Sequence, residues 1–557
     1  MLKEVLKKYW PGKLAFLLIV LLIAIRLINL ANSPIGINHD ELEVMLSSRS
    51  GLLFPQALFF TNTEAGLAAL PSFLMFFFRF IPLNMLTSRL VFLLLNLATG
   101  VLLSVLVYKF TKIKMLSIIC FLLFLVNPWS FLLSRSLTEA PFALFFTLLG
   151  ILFLFSLKAN KIFYSITFFI AAFLSYQGTK VIIPPLVIAL IFLHWKFIGC
   201  IKIRTYVAYV GIFGCLVLGY FIIAFLYPES TVTSRSGEFI FLNLDRYTKI
   251  VDDARMRTID FPLTNLFVNK YTYLIKDFAQ KYFGLFSPDL LFFKGDPRST
   301  YTLGEHGLLY LPDFIFIITG IFGLGKILKN KLLGWIIFLL ALLAPLGASL
   351  SLIENSYIFR TSLILPVFIV LTALGIYIVF LSLPQKLGKL FLVTVTAIYF
   401  ILFINFLFVF FISFPVKQQE NQYFSERVVV NYMLRNQKSN KKIVAIVHSP
   451  YQIMNQYLFF SNNNSPGENL ILSNNCIDLE RDDIVIIQSG VKCPEPNEQK
   501  KVIQDQKDSG ELYQIYNDQL CQNISHTSYN RFHFFSDYNV ENLSDEQFCN
   551  RLINQYD

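Results

Sequence analysis

Two acidic clusters stand out in a chain that is otherwise mostly apolar. The first is Ile37-Asn38-His39-Asp40-Glu41, and the second is Ser134-Arg135-Ser136-Leu137-Thr138-Glu139. An Asp and a Glu facing one cavity make an acid/base site, because a carboxylate takes the proton of an attacking hydroxyl. Arg89 and Arg135 add guanidinium forks, which suit a phosphate leaving group. Tyr176, Gln177 and Lys180 form a third polar stretch, and Arg360 lies in a fourth. Each has a plainer reading. Asp40 is placed to cap a short helix, Glu41 to about Ser48, whose apolar side includes Leu42, Met45 and Leu46. Glu139 can pair with Arg135 four residues earlier, Arg360 can pair with Glu354, and Tyr176 and Lys180 can be interfacial anchors. His39, Asp40, Glu41 and Glu43 carry donors suited to a divalent ion. A metal is kept as an alternative, with no ligand set and no cofactor assigned.

The elements that would position these groups are membrane spans. The 557 residues are 55% hydrophobic and 16% aromatic, with a mean hydropathy of +0.58, and a soluble protein of that composition would expose too much apolar surface. Eleven apolar runs read as spanning helices, at about 14–30, 88–108, 115–133, 140–157, 162–175, 181–195, 205–227, 309–326, 332–350, 361–383 and 388–413. The loops Lys109–Lys114, Lys158–Lys161, Lys196–Arg204, Lys326–Lys331 and Lys386–Lys389 hold most of the loop cations and share one parity, which places them in the cytoplasm. His39-Asp40-Glu41, Arg89, Arg135, Glu139, Tyr176 and Arg360 then all face outside. The N-terminus is cytoplasmic and the C-terminus extracytoplasmic. The net charge of +11 sits in cytoplasmic loops, where it meets anionic headgroups; no nucleic-acid partner is expected. The run Leu67–Ile81 is short for a span and would invert the later loops, so it is read as interfacial or re-entrant. Two large outer loops result, 31–87 and 228–307, on a transmembrane domain of residues 1–415.

Residues 416–557 change character and read as a small extracytoplasmic α/β accessory domain. Ser425–Gln437 reads as a helix, and Lys442–Val447, Asp483–Ile487 and Leu512–Tyr516 as short strands. With no Gly-rich phosphate loop, no nucleotide is assigned. Cys476, Cys493, Cys521 and Cys549 suggest up to two disulfides in any of three pairings, against free thiols or a zinc site.

The order of motifs resembles the GT-C glycosyltransferases, near the protein O-mannosyltransferase and aminoarabinose-transferase group. It rests on His39-Asp40-Glu41 after the first span, Ser88-Arg89-Leu90, Asn127-Pro128-Trp129, Ser134-Arg135 with Glu139, and Ser175-Tyr176-Gln177-Gly178-Thr179-Lys180-Val181 with Pro184. Asn269-Lys270-Tyr271, the stretch Phe286–Asp296, and His306-Gly307 complete it. The resemblance covers about 1–375. It implies a GT-C fold and an inverting transfer of a sugar from a polyprenyl-phosphate donor to an acceptor hydroxyl on a protein, lipid or glycan. It implies Asp40 as general base, with Glu41 its acidic neighbour and Glu139 at the second acidic position. Arg89, Lys270 and His306 would help bind the lipid phosphate and sugar, with His39, Arg135, Tyr176, Gln177, Lys180 and Arg360 around them. The relatives' Lys-Pro-Pro stretch is replaced here by Thr61-Asn62-Thr63-Glu64-Ala65-Gly66, without a lysine. A multi-pass lipid or solute transporter is the alternative; it would show internal repeats and midplane charges.

Overall fold

The structure, a computed structural model, describes residues 12–49, 69–155, 159–199, 201–226, 239–242, 244–259, 261–296, 300–301, 303–327, 331–352, 357–417, 420–437, 441–476, 483–493, 500–504, 510–521 and 539–555. The replacement stretch Thr61–Gly66 and the partner expected for Arg360, Glu354, lie outside these residues. The chain divides into two compact units. One comprises Met1–Arg26, Leu52–Phe73 and Phe92–Phe406; the other comprises Leu27–Gly51, Leu74–Val91 and Leu407–Asp557.

Each of the eleven apolar runs is helical. Among the described residues, six helices are long and apolar enough to cross a bilayer: Met85–Thr111, Thr179–Phe197, Ile203–Leu226, Leu332–Ser349, Ser362–Ser382 and Gln385–Lys417. Five shorter apolar helices accompany them. This is a multi-pass membrane protein. The third run, 115–133, is two helices rather than one, Lys114–Val126 and Pro128–Leu133. Pro128 disfavours helical backbone at Asn127, and the Asn127 side chain then accepts from the Ser130 amide at 3.0 Å, capping the second helix. Among its described residues, the run Leu67–Ile81 holds the eight-residue helix Ala69–Phe76, about 12 Å long and too short to span.

Within the first unit, the Leu365–Ser382 helix is buried along most of its length and packs against Leu311–Ile327. Arg26, an arginine inside the first apolar run, is fully buried. It donates to the carbonyls of Phe124 and Leu125 and to the side chains of Asn96 and Ser130. Those carbonyls belong to the last turn of Lys114–Val126, where helical acceptors lack partners.

The second unit is built on a six-stranded mixed sheet. Its strands are β1 (Ile443–Ile446), β2 (Leu470–Ser473), β3 (Ile484–Gln488), β4 (Lys501–Gln504), β5 (Glu511–Tyr516) and β6 (Asn554–Gln555), in the order β2-β1-β3-β5-β4-β6. β2, β1 and β3 are parallel; β5 runs antiparallel to β3, and β4 to both β5 and β6. Ile443, Ala445, Ile484 and Ile486 join one core with the Phe424–Asn436 and Pro450–Phe460 helices, while Val444, Ile446, Val485 and Ile487 form a smaller core on the opposite face. Two-sided burial explains why β1 and β3 are continuous apolar runs. The four cysteines form Cys476–Cys493 and Cys521–Cys549, which removes zinc as their role.

Candidate functional site

In the second unit, the His39–Ser47 helix carries the first acidic cluster. Its N-cap is Asn38, not Asp40: the Asn38 side chain accepts from the Glu41 amide at 2.9 Å, and Glu41 accepts from the Asn38 amide at 3.2 Å. This is a capping box, and it corrects the expected cap by two residues. Glu41 is fully buried by that task. Asp40, one turn position earlier, is exposed. His39 Nε2 pairs with Glu43 at 2.9 Å, and its ring meets Tyr451 edge-on at 5.6 Å.

The backbone leading to Asp40 is fixed from two directions. Arg89 is fully buried and donates to the carbonyls of Leu30, Ala31, Pro34 and Gly36 at 3.2, 3.1, 2.8 and 2.7 Å. Arg427 donates to the Ile35 carbonyl and to Asn32 Oδ1, and Gln456 donates to the Ile37 carbonyl at 3.0 Å. Gly36 allows this closeness, since a Cβ there would stand 1.8 Å from the Gln422 carbonyl oxygen. Tyr423 follows with left-handed backbone at φ 54°. Its phenol is pushed up by burial first, then by the carboxylates of Glu426 and Asp40, which places Tyr423 within electrostatic reach of Asp40. Arg427 also binds Glu541; burial pushes the Glu541 carboxyl up, but the guanidinium charge and hydrogen bonds more than reverse this and hold it below its ordinary value.

In the first unit, Glu139 immediately precedes the Ala140–Leu154 helix and is buried. It lies within electrostatic reach of the buried Lys180 side chain. Lys180 also donates to Gln177 Oε1 and lies 5.0 Å from the centre of the Tyr220 ring. The Tyr176 ring lies against Gly178, whose neighbour is Gly347. Gly347 in turn lies against the Arg360 carbonyl, where a Cβ would come within 2.5 Å. Glu139, Tyr176, Gln177, Lys180 and the backbone of Arg360 thus belong to neighbouring elements. Arg360 Nη1 is buried and without a hydrogen-bond partner among the described residues. Asp296, from the long loop before the Leu311–Ile327 helix, accepts from the Ile358 amide at 3.3 Å, and the Ile358 carbonyl accepts from Trp129 Nε1 at 2.8 Å. These bonds tie the Asn127-Pro-Trp motif and the loop to the turn that carries Arg360.

The remaining expected residues have other surroundings. Arg135 is fully buried, donates to the Arg26 carbonyl at 3.0 Å and stacks on Phe131. Lys270 opens the Lys270–Gly284 helix and reaches the fully exposed Asp245 at 3.6 Å, its own side chain half-buried. The other end of that helix, about 20 Å away, is the one near Arg360: Tyr357 Oη donates to the Lys281 carbonyl at 3.0 Å. His306 is buried between Tyr310 and Phe406, and burial lowers its pKa, partly offset by its hydrogen bond to the Gly307 carbonyl. Among the described residues, no three His, Cys, Asp or Glu side chains are grouped to hold a metal. Arg26, Asn38, Tyr423, Tyr451 and Lys281 were not singled out from sequence. Only Asn38 had a local signal, its three-residue spacing from Glu41.

No family model matches the chain, and no curated protein matches it. Several solved structures are similar, two of them as follows, at low identity. One is ArnT from Cupriavidus metallidurans in the apo state, with a TM-score of 0.49 and 9% identity over 90% of this chain and 98% of that one. The other is the Archaeoglobus fulgidus oligosaccharyltransferase tethered to an acceptor peptide containing the NVT sequon. It has a TM-score of 0.38 and 13% identity over 80% of this chain and 63% of that one.

Proposed function

We propose that this chain is an integral-membrane glycosyltransferase of the GT-C type. It moves a sugar from a polyprenyl-phosphate donor to an acceptor hydroxyl at the extracytoplasmic face, with inversion. The observation that carries the reading is the treatment of Asp40. Its carboxylate is exposed in the first turn of a helix whose cap and approach are fixed by Asn38, Glu41, Arg89, Arg427 and Gln456. A general base needs this combination of an accessible carboxylate on an immobile backbone.

In the transfer, the Asp40 carboxylate takes the acceptor hydroxyl's proton while that oxygen bonds to the anomeric carbon. The bond from that carbon to the phosphate oxygen breaks on the opposite face, and its electron pair leaves with the lipid phosphate. The developing charge needs fixed cations, and Lys180 and Arg360 are the groups we assign to it. Gln177 orients Lys180 by accepting its hydrogen bond, and Glu139 stands within electrostatic reach of it. The domain limits follow the same reading: a transmembrane transferase of about residues 1–415, with 416–557 outside the membrane. The ionisable groups inside spans favour this over transport. Arg26 and Asp313 are held by named partners, the latter by Tyr399 and the Tyr310 amide.

Purified protein in liposomes, offered polyprenyl-phosphate sugars and acceptor extracts, should release polyprenyl phosphate and form a product of opposite anomeric configuration. No release across such donors, or retention of configuration, overturns the proposal. In intact cells, a cysteine placed at the exposed Asp40 should react with an impermeant maleimide; protection of that position from the outside would overturn the extracytoplasmic placement.

A further inference from the structure

A cation-lined hollow lies in the second unit, and none of the residues assigned to the transfer is among its lining. It has a volume of about 440 Å³ and is lined by Arg49, Phe76, Arg79, Phe80, Asn462 and Asn463, among others, with no acidic residue among the described residues of its wall. Arg49 frames it by donating to the carbonyls of Arg79 and Ile81, the second at 2.6 Å. Its Nε is buried and makes no hydrogen bond among the described residues. Arg79 is exposed, with its guanidinium 4.5 Å from the Phe76 ring centre and 5.2 Å from that of Phe80. That guanidinium makes no hydrogen bond or ion pair with any described residue. Among the described residues, the hollow therefore presents positive charge beside two aromatic rings with no carboxylate to pair it.

Its surroundings indicate what would neutralise that charge. Phe77, Phe78 and Phe80 are 63%, 42% and 84% exposed, an apolar cluster that water disfavours. The 27-residue apolar helix Met85–Thr111 starts six residues after Arg79, so this guanidinium stands within about 20 Å of the end of a span. Arginine beside exposed aromatics at that level is the composition of a headgroup-depth contact. A guanidinium also matches phosphate oxygens as a planar fork.

We propose that this hollow seats the phosphate of an anionic phospholipid, with the Arg79 fork on the phosphate and Phe77, Phe78 and Phe80 among the upper acyl carbons. The test uses the full chain in nanodiscs of equal phosphatidylglycerol and phosphatidylcholine, with retained lipids counted by native mass spectrometry. The wild type should retain phosphatidylglycerol preferentially. R79Q should lower that preference about fivefold, and R79K, which keeps the charge, should preserve most of it. Arg79 has an exposed side chain, so R79Q breaks no buried bond. Equal retention in the wild type and R79Q overturns the proposal. So does displacement of phosphatidylglycerol by inorganic phosphate at millimolar concentration, which would mark a free-anion site. Displacement by stoichiometric polyprenyl phosphate would mark a donor site and overturn it as well.

Discussion

Arg89 separates two ways in which an arginine can serve a transferase. If it bound the donor phosphate, its loss would raise the donor KM and leave the protein's stability nearly unchanged. The structure gives it four backbone carbonyls instead, those of Leu30, Ala31, Pro34 and Gly36. Hydrogen bonds from a charged group are each worth about 1.5–3 kcal/mol net. The two short bonds, to Pro34 and Gly36 at 2.8 and 2.7 Å, alone make R89M destabilising by about 3 kcal/mol. For a unit of this size that lowers the melting temperature by roughly 6–12 °C. The released segment leads directly into Asp40, and a displacement of about 1 Å at a reacting group costs about 100-fold in rate. R89M should therefore lose both stability and kcat, with donor KM little changed. R89K should fall between, since an ammonium lacks the fork that reaches four carbonyls. Thermal unfolding in detergent and steady-state transfer measure both quantities. An R89M protein that melts with the wild type while its donor KM rises would refute the positioning role.

Three further outcomes follow from the same geometry. K180M should lower kcat/KM by about 100-fold, and adding E139Q should cost little more, because the two groups act as a unit; additive losses in a double-mutant cycle would separate them. The Glu541 carboxyl sits below its ordinary value of 4.5 when folded, so its contribution to stability is full above that value and is lost as pH falls through the folded value. Urea midpoints between pH 6 and 3 should show this acid loss in the wild type and less of it in E541Q. C549S, which opens the Cys521–Cys549 bridge across a sequence separation of 28, should destabilise the sheet unit by about 2–4 kcal/mol, read as a lower melting temperature; an unchanged value would count against the bridge.

The membrane helices were legible in the sequence because spanning a bilayer demands long apolar runs, and all eleven runs are helical. The split at Asn127 was visible in principle, since Pro128 marks it. Strands β1 and β3 were legible as buried apolar runs. β4 and β6 were not, being short and carrying Lys501, Gln504, Asn554 and Gln555. Cysteine pairing was undecidable because spacing does not encode connectivity. At the site, Asp40 was legible as an acidic residue beside a helix start, but its cap was misplaced because Asp and Asn compete for that position. The tasks of Arg89, Arg135 and Arg26 were hidden for a different reason. Each bonds carbonyls of residues distant in sequence, and main-chain acceptors leave no trace in side-chain motifs. Tyr423 and Tyr451 reach the Asp40 helix only through the fold of the sheet unit.

The most direct measurement is the single-turnover rate of sugar transfer by D40N beside the wild type, in the same liposomes and with the same polyprenyl-phosphate donor. Asn has nearly the shape of Asp and cannot accept the proton. If Asp40 is the base, the rate should fall by about 10²–10⁴, with donor binding and melting temperature retained. A D40N protein that transfers at the wild-type rate would contradict the assignment of Asp40 and the mechanism built on it.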